Sequence, residues 1–188
     1  MFSKILRPLV ATAILALAAF APINVSYSPQ HGFEAGFQQA QAQAFSDYVE
    51  NKIVDLLVRG QAFTAPATVY VGLSTAACSD SGFGTEVTNA NNYSRVAVTS
   101  NLTNWAGTQS AGSTTASSGT GGVTSNNGAI NFPTPSGSWG TVTHWFLADS
   151  GTHNAGNLLI CDDLTASQTI GSGNAVSFAI AALTVTVQ

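Results

Sequence analysis

The side chains that could perform chemistry are few and scattered. Ser136 to Gly140 reads S-G-S-W-G, close to the G-x-S-x-G elbow that exposes a nucleophilic serine. The first glycine of that motif is missing, and the flanks read as strand on both sides rather than strand to helix. His144 alternates with Val142 along a β-like run, on the opposite pleat from Thr143 and Trp145. It has no nucleophile and orienting acid in a local pattern, so it reads as a packed residue rather than a base. His153 and Asp149 share an ordinary Gly/Thr turn, and His31 stands alone in a polar stretch. Asp162-Asp163, with Asp80 and Glu86 from another loop, could surround calcium with the help of carbonyls, but EF-hand spacing is absent. Asp47, Glu50 and Asp55 are acidic neighbours that helix capping and i, i+4 pairing explain. The expectation is therefore no catalytic residue, no metal and no cofactor.

Two further sets carry weight. Cys78 and Cys161 are the only cysteines, without CxxC spacing or a His/Cys cluster. Two buried thiols are the first reading and a single disulfide the second; both residues sit at strand ends, and a bridge would close a loop of over eighty residues. Trp105, Trp139, Trp145 and Phe146 are the other set. Such aromatics can stack on sugar rings, but filling a core or a subunit interface is the favoured role.

The surrounding chain explains this scarcity. Charged residues make up 7% of 188, against roughly 25% in an average soluble domain. None lies between Arg95 and Asp149, and none follows Asp163. A net charge of −4 with five scattered basic residues argues against nucleic acid as a partner. Neutral, hydroxyl-rich and β-branched composition suits β-structure, with part of its surface covered in an assembly.

Residues 1–25 form a hydrophobic, signal-like or anchor segment: Lys4 and Arg7 precede an apolar run from Leu9 to Val25. Export signal, membrane anchor and a hydrophobic arm packed in an assembly all fit, and any membrane contact would run through residues 9–25. Pro22 argues against cleavage after Ala21. Residues 26–44 read as linker, with a short helix in the Gln/Ala tract. The domain proper spans 45–188. It opens with one amphipathic helix over 46–59, with Asp47 and Glu50 at its start and Arg59-Gly60 at its end. Val49, Ile53, Leu56 and Leu57 are expected to form its buried face. The period then changes from 3.6 to 2. Strands are expected at 67–75, 93–100, 128–132, 140–148, 157–162, 167–170, 175–181 and 183–188, separated by Gly/Asn/Ser turns. That pattern predicts a mainly β fold: an antiparallel, jelly-roll-like β-sandwich preceded by the helix. Residues 106–128 are low in complexity and expected to be an exposed, mobile loop.

Several landmarks keep a distinctive order: D-Y-x-E-N-K in the helix, P-A-T-V-Y-V-x-L, G-x-G-T-E-V, Y-x-R, F-P-x-x-x-x-x-W-G-T-V-T-H and a final L-T-V-T-V. Over about 45–188 the chain resembles small phage proteins described as tail fibre-like or virion proteins. The resemblance implies a virion structural module and carries no catalytic residues over. The hydrophobic extension, the Ser/Thr/Gly insertion at 106–122 and the two cysteines depart from the pattern. The expectation is a non-enzymatic phage or prophage-derived virion protein, a capsid decoration or tail fibre-type subunit. Its partners would be copies of itself, with a trimer the natural symmetry, and other virion proteins of capsid or tail. The alternative is an exported or membrane-anchored cell-surface module that binds glycans.

Overall fold

The computed structural model describes residues 24–28, 32–36 and 45–187. The chain divides into two units, Met1–Gln41 and Ala42–Gln188. In the first, strands β1 (Asn24–Ser28) and β2 (Gly32–Gly36) pair as an antiparallel hairpin. Most of the signal-like segment 1–25, His31 and the expected Gln/Ala helix lie outside the described residues; the hairpin falls on the end of that segment and on the first part of the stretch read as linker, 26–44.

The second unit opens with helix α1 (Asp47–Leu57). Ser46 is its N-cap: its hydroxyl accepts from the Val49 N–H (3.4 Å) and donates to the Leu158 carbonyl. The cap thus starts the helix and ties it to the sheet. Gly60, at φ +67°, turns the chain out of the helix, a backbone conformation that glycine adopts without a Cβ clash. No residue of α1 is fully buried. Tyr48 and Val49 lean on the core, whereas Leu56 and Leu57, expected on the buried face, are exposed. Of the expected face, Val49 packs on the core and Ile53 is half-buried, so the periodicity holds for the first half of the helix and fails at its end.

The main sheet is antiparallel, ordered β4 (Val96–Thr99), β3 (Thr68–Ser74), β7 (Gly140–Ala148), β8 (Leu158–Ile170). Opposite it lie two ribbons, β5 (Val123–Ser125) with β10 (Thr184–Thr186), and β6 (Ile130–Asn131) with β9 (Ser177–Phe178). Val71, Leu73, Val142, Trp145 and Leu147 of the sheet pack in one cluster with Ile130 and Val185 of the ribbons and with Phe132 and Leu183, which adjoin β6 and β10 in sequence. Among the described residues the fold is mainly β and antiparallel, with one helix. Each layer presents alternate residues to the shared core, as the period of 2 requires.

Two strand expectations change. The segments 157–162 and 167–170 are one strand, because β8 continues through a register shift: Val142 pairs with Gln168 and His144 with Asp163, leaving Thr143 opposite the unpaired 164–167. The same irregularity turns Val142 to the core face along with Trp145 and puts His144 on the other face. His144 and Val142 therefore do not share a pleat. A bulge inserts residues into one side of a pair and resets the alternation. Strand β5, in turn, lies inside the stretch expected to be loop. The insertion before it is exposed, as expected, but is held by its own hydroxyls and amides: Gln109 Nε2 donates to Thr115 Oγ1 (2.6 Å) and Thr108 Oγ1 to the Ser118 carbonyl (3.1 Å).

Candidate functional site

The residues that sequence reasoning singled out for binding are inside. Trp139, Trp145 and Phe146 are buried, and Trp105 is half-buried beside Asn126. Trp139 Nε1 donates to the Asn91 carbonyl (2.9 Å), and its ring meets Tyr93 edge-on at 5.2 Å. Burial leaves Trp139, Trp145 and Phe146 no surface for a ligand or a partner. Trp139 and Trp145 lie in the core between the two layers.

Alternation sends Trp145 to one face of the sheet and Phe146 to the other, where a smaller second core forms. Phe146, Ala148 and Leu158 pack there with Cys78, Phe83 and Cys161. Phe146 and Cys161 are paired across β7 and β8, so both point into this face. Gly72 is paired with Phe146 on the other side. A Cβ at Gly72 would collide with the Phe146 ring, so glycine is required there by close approach. Cys78 comes in on the loop after β3 and is disulfide-bonded to Cys161, with a Cα–Cα distance of 6.3 Å. The buried-thiol reading placed first for these cysteines is not what the structure contains. The sequence reading put both at strand ends; Cys161 instead lies inside β8, paired with Phe146, and nothing in the sequence revealed that the 76–86 loop folds back over that strand.

The most elaborate polar feature is buried under that loop. Arg95 and Glu86 form a bidentate pair, Nε to Oε1 and Nη2 to Oε2, each 2.8 Å, with both side chains wholly buried. Arg95 Nη1 also donates to the carbonyls of Ser150 (2.7 Å) and Ala155 (3.0 Å). Its guanidinium lies over the rings of Phe83 (4.4 Å) and Phe146 (5.0 Å). Glu86 accepts further from the Asn154 N–H (2.7 Å) and from the Tyr93 hydroxyl (3.2 Å). His153 Nε2 donates to the Val87 carbonyl (3.0 Å). Burial by itself would raise the Glu86 carboxyl, but the hydrogen bonds from Arg95 and Asn154 outweigh it and hold it below its ordinary value. Burial also pushes the Tyr93 phenol up, so it remains a donor. Every polar atom of this pair is matched, which is the condition under which a buried ion pair is tolerated. Chemically the group is a clamp: it pins the turn at 149–157 to the loop at 83–93 and leaves no group poised to react.

Other candidates are also accounted for. Glu86 is committed to Arg95 and so is not available to the calcium arrangement suggested by Asp80, Asp162 and Asp163. Among the described residues no group of three or more His, Cys, Asp or Glu is placed to hold a metal. His144 Nε2 meets Asp163 Oδ1 at 2.5 Å, and its Nδ1 lies 2.7 Å from the Thr143 hydroxyl. Asp149 accepts from the backbone and side chain of Asn157, both at 2.7 Å, closing its own turn. A cavity of about 350 Å³ lies between β8 and residues 174–178, over Leu73, Val142, Ile170 and Phe178. Its polar lining is Gln168, Thr169, Asn174 and Ser177, with no carboxylate, imidazole, amine or thiol.

Sequence reasoning missed the Glu86–Arg95 pair and Asn126. Asn126 Nδ2 donates to the Gly128 (2.7 Å) and Ala179 (2.8 Å) carbonyls while its Oδ1 accepts from the Leu183 N–H (2.9 Å). One signal was available for the pair: Arg95 is the last charge before Asp149, and it adjoins the apolar alternation of Val96 and Val98. A solitary cation entering a strand in so neutral a chain calls for a buried partner.

No curated protein matches the chain significantly. A family model described as podophage GP4 fiber I protein gp80 matches residues 44–186, which takes in α1 and the sheets of the second unit. The chain belongs to that family of phage fibre proteins and is a phage virion structural protein.

Proposed function

We propose that this chain is a non-enzymatic fibre subunit of a phage tail, rather than a capsid decoration, and that it works as an assembly of identical copies. The observation that carries the reading is the family match over 44–186, because it covers the helix and the whole β domain rather than one motif. The local chemistry supports it. The titratable groups that meet below the surface are engaged as a clamp, and the cavity offers no acid, base or thiol. A doubly cored, disulfide-bonded sheet suits a protein that must keep its shape outside a cell, where disulfides persist.

Immunogold labelling of purified virions with antiserum raised against the chain tests this. Label along tail appendages is expected. Label over the head shell would replace the fibre role with capsid decoration, and virions without the protein by mass spectrometry would overturn a virion role altogether. Purified protein is expected to leave ester and glycoside substrates intact.

A further inference from the structure

The cavity between β8 and residues 174–178 lies where the two layers are least regular. Strand β8 makes its register shift beside it, between Asp163 and Gln168. Strand β9 has only Ser177 and Phe178 with which to pair β6. The floor of the cavity is apolar: Leu73, Val142 and Ile170 of the sheet are buried beneath it. Phe178 lines it from the other layer, its ring centroid 6.3 Å from that of Phe132. Two amides break this apolar surround. Gln168 is paired with Val142 and so shares the core face, where strand alternation calls for an apolar residue, yet it is exposed to solvent. Asn174 also lines the cavity; its Oδ1 accepts from the Gly171 N–H (2.5 Å), which fixes the side chain and leaves Nδ2 to donate.

We propose that this cavity binds one neutral pyranose ring. The lining selects the ligand class. No charged side chain lines the cavity, and Asp163, next to Leu164 in sequence, is taken by His144 on the other face. An ion would therefore be desolvated without a counter-charge, which is costly. A purely apolar ligand would cover the amides of Gln168 and Asn174 without giving them hydrogen-bond partners, which costs free energy as well. A pyranose meets both demands. The C–H groups of its ring faces can lie on Phe178 and Val176, while the hydroxyls at its edge pair with amide donors and acceptors. Ligand clefts with a mainly apolar lining and a few polar groups are the common kind, at roughly 300–1,000 Å³. A volume of about 350 Å³ is at the lower end of that range and suits one ring rather than a chain of them. The proposal depends neither on the assembly of copies nor on where the chain sits on the virion.

Ligand-observed saturation-transfer NMR on the full chain tests it. The neutral probes are methyl glucoside, methyl galactoside and N-acetylglucosamine, and the charged one is glucuronate. At least one neutral probe should receive saturation, and glucuronate should bind about tenfold or more weakly than the best of them. Ala175→Trp, at an exposed position of the lining, should fill the cavity and abolish the transfer. Gln168→Ala should weaken binding about fivefold through one lost hydrogen bond. Its thermal melt should match the wild type, because the side chain is exposed, so it decides the matter even where the tryptophan variant fails to fold. Three results would each overturn the proposal: no transfer to any neutral probe, binding by Gln168→Ala equal to the wild type, or glucuronate bound as tightly as the neutral sugars. None of these bears on whether the protein is found on virions, which the labelling experiment decides on its own.

Discussion

Trp145, in the middle of β7, exposes 5% of its surface, while Leu57, at the end of α1, exposes 75%. Both belong to strongly apolar stretches, and their difference lies in what stands opposite. Strand β7 is the inner strand between β3 and β8, with a ribbon layer on one face and the disulfide-held loop on the other. Both sets of its side chains therefore find partners within the protomer. Helix α1 reaches the sheet with one turn and carries the rest of its apolar residues away from it. The comparison teaches that apolar content leads to burial only where another layer of the protomer stands opposite.

The sharpest way to break this comparison is to truncate one residue in each region. Trp145→Ala should destabilise the protomer by about 3–5 kcal/mol, as loss of a fully packed aromatic does. Leu57→Ala should change protomer stability by less than about 0.5 kcal/mol. Denaturant unfolding at low protein concentration measures both. Equal costs would mean that α1 is packed within the protomer after all.

Arg95→Ala probes the second core. It strands a buried Glu86 and should cost about 3–5 kcal/mol. The same pair sets a pH dependence. Because the folded Glu86 carboxyl lies below its ordinary value of 4.5, its contribution is fully present above that value. It declines as pH falls toward the lower folded value, because the unfolded chain takes up the proton first. Unfolding midpoints followed from pH 7 downward should therefore fall more steeply in the wild type than in Glu86→Gln. Parallel curves would remove the pair from the account.

Reducing the Cys78–Cys161 bridge should cost about 2–5 kcal/mol, since it releases a closed loop from the unfolded-state constraint. Thiol counting on denatured, non-reduced protein should find no free thiol. Unfolding should then begin at the 76–86 loop and spare the ribbon-facing core. The smallest effect belongs to the Ser/Thr insertion. Removing residues 108–118 should change stability by less than about 1 kcal/mol, because loop closure depends weakly on length. Ala106 must stay, since its N–H donates to the Ser125 carbonyl and its carbonyl accepts from Thr124 Oγ1.

These outcomes also mark what could be read in the sequence. Strand β7 was legible to the residue, because its run of β-branched and aromatic residues from Gly140 to Ala148 holds no turn residue and ends at the Asp149-Ser150-Gly151 turn. Strand β5 was not: Val123–Ser125 carries one apolar residue and acquires its identity from pairing with β10. The bulge at Thr143 was equally hidden, since nothing in its own residue type marks a missing partner. At the candidate site, Glu86 and Arg95 meet through a loop whose path depends on the disulfide and on Phe146 filling the space over Gly72. Such long-range closures leave no local period. For α1 the pattern gave an apolar face at Val49, Ile53, Leu56 and Leu57 but not how far the sheet extends beneath it, because a buried and an exposed apolar turn read alike in sequence.

Hydroxyl-radical footprinting of the full chain across a dilution series tests the central claim most directly. The account predicts that Trp139 and Trp145 stay protected at every concentration, down to the isolated protomer, in which Leu57 and Val58 are labelled. Labelling of the tryptophans on dilution would contradict it and return the aromatic stretch to the interface.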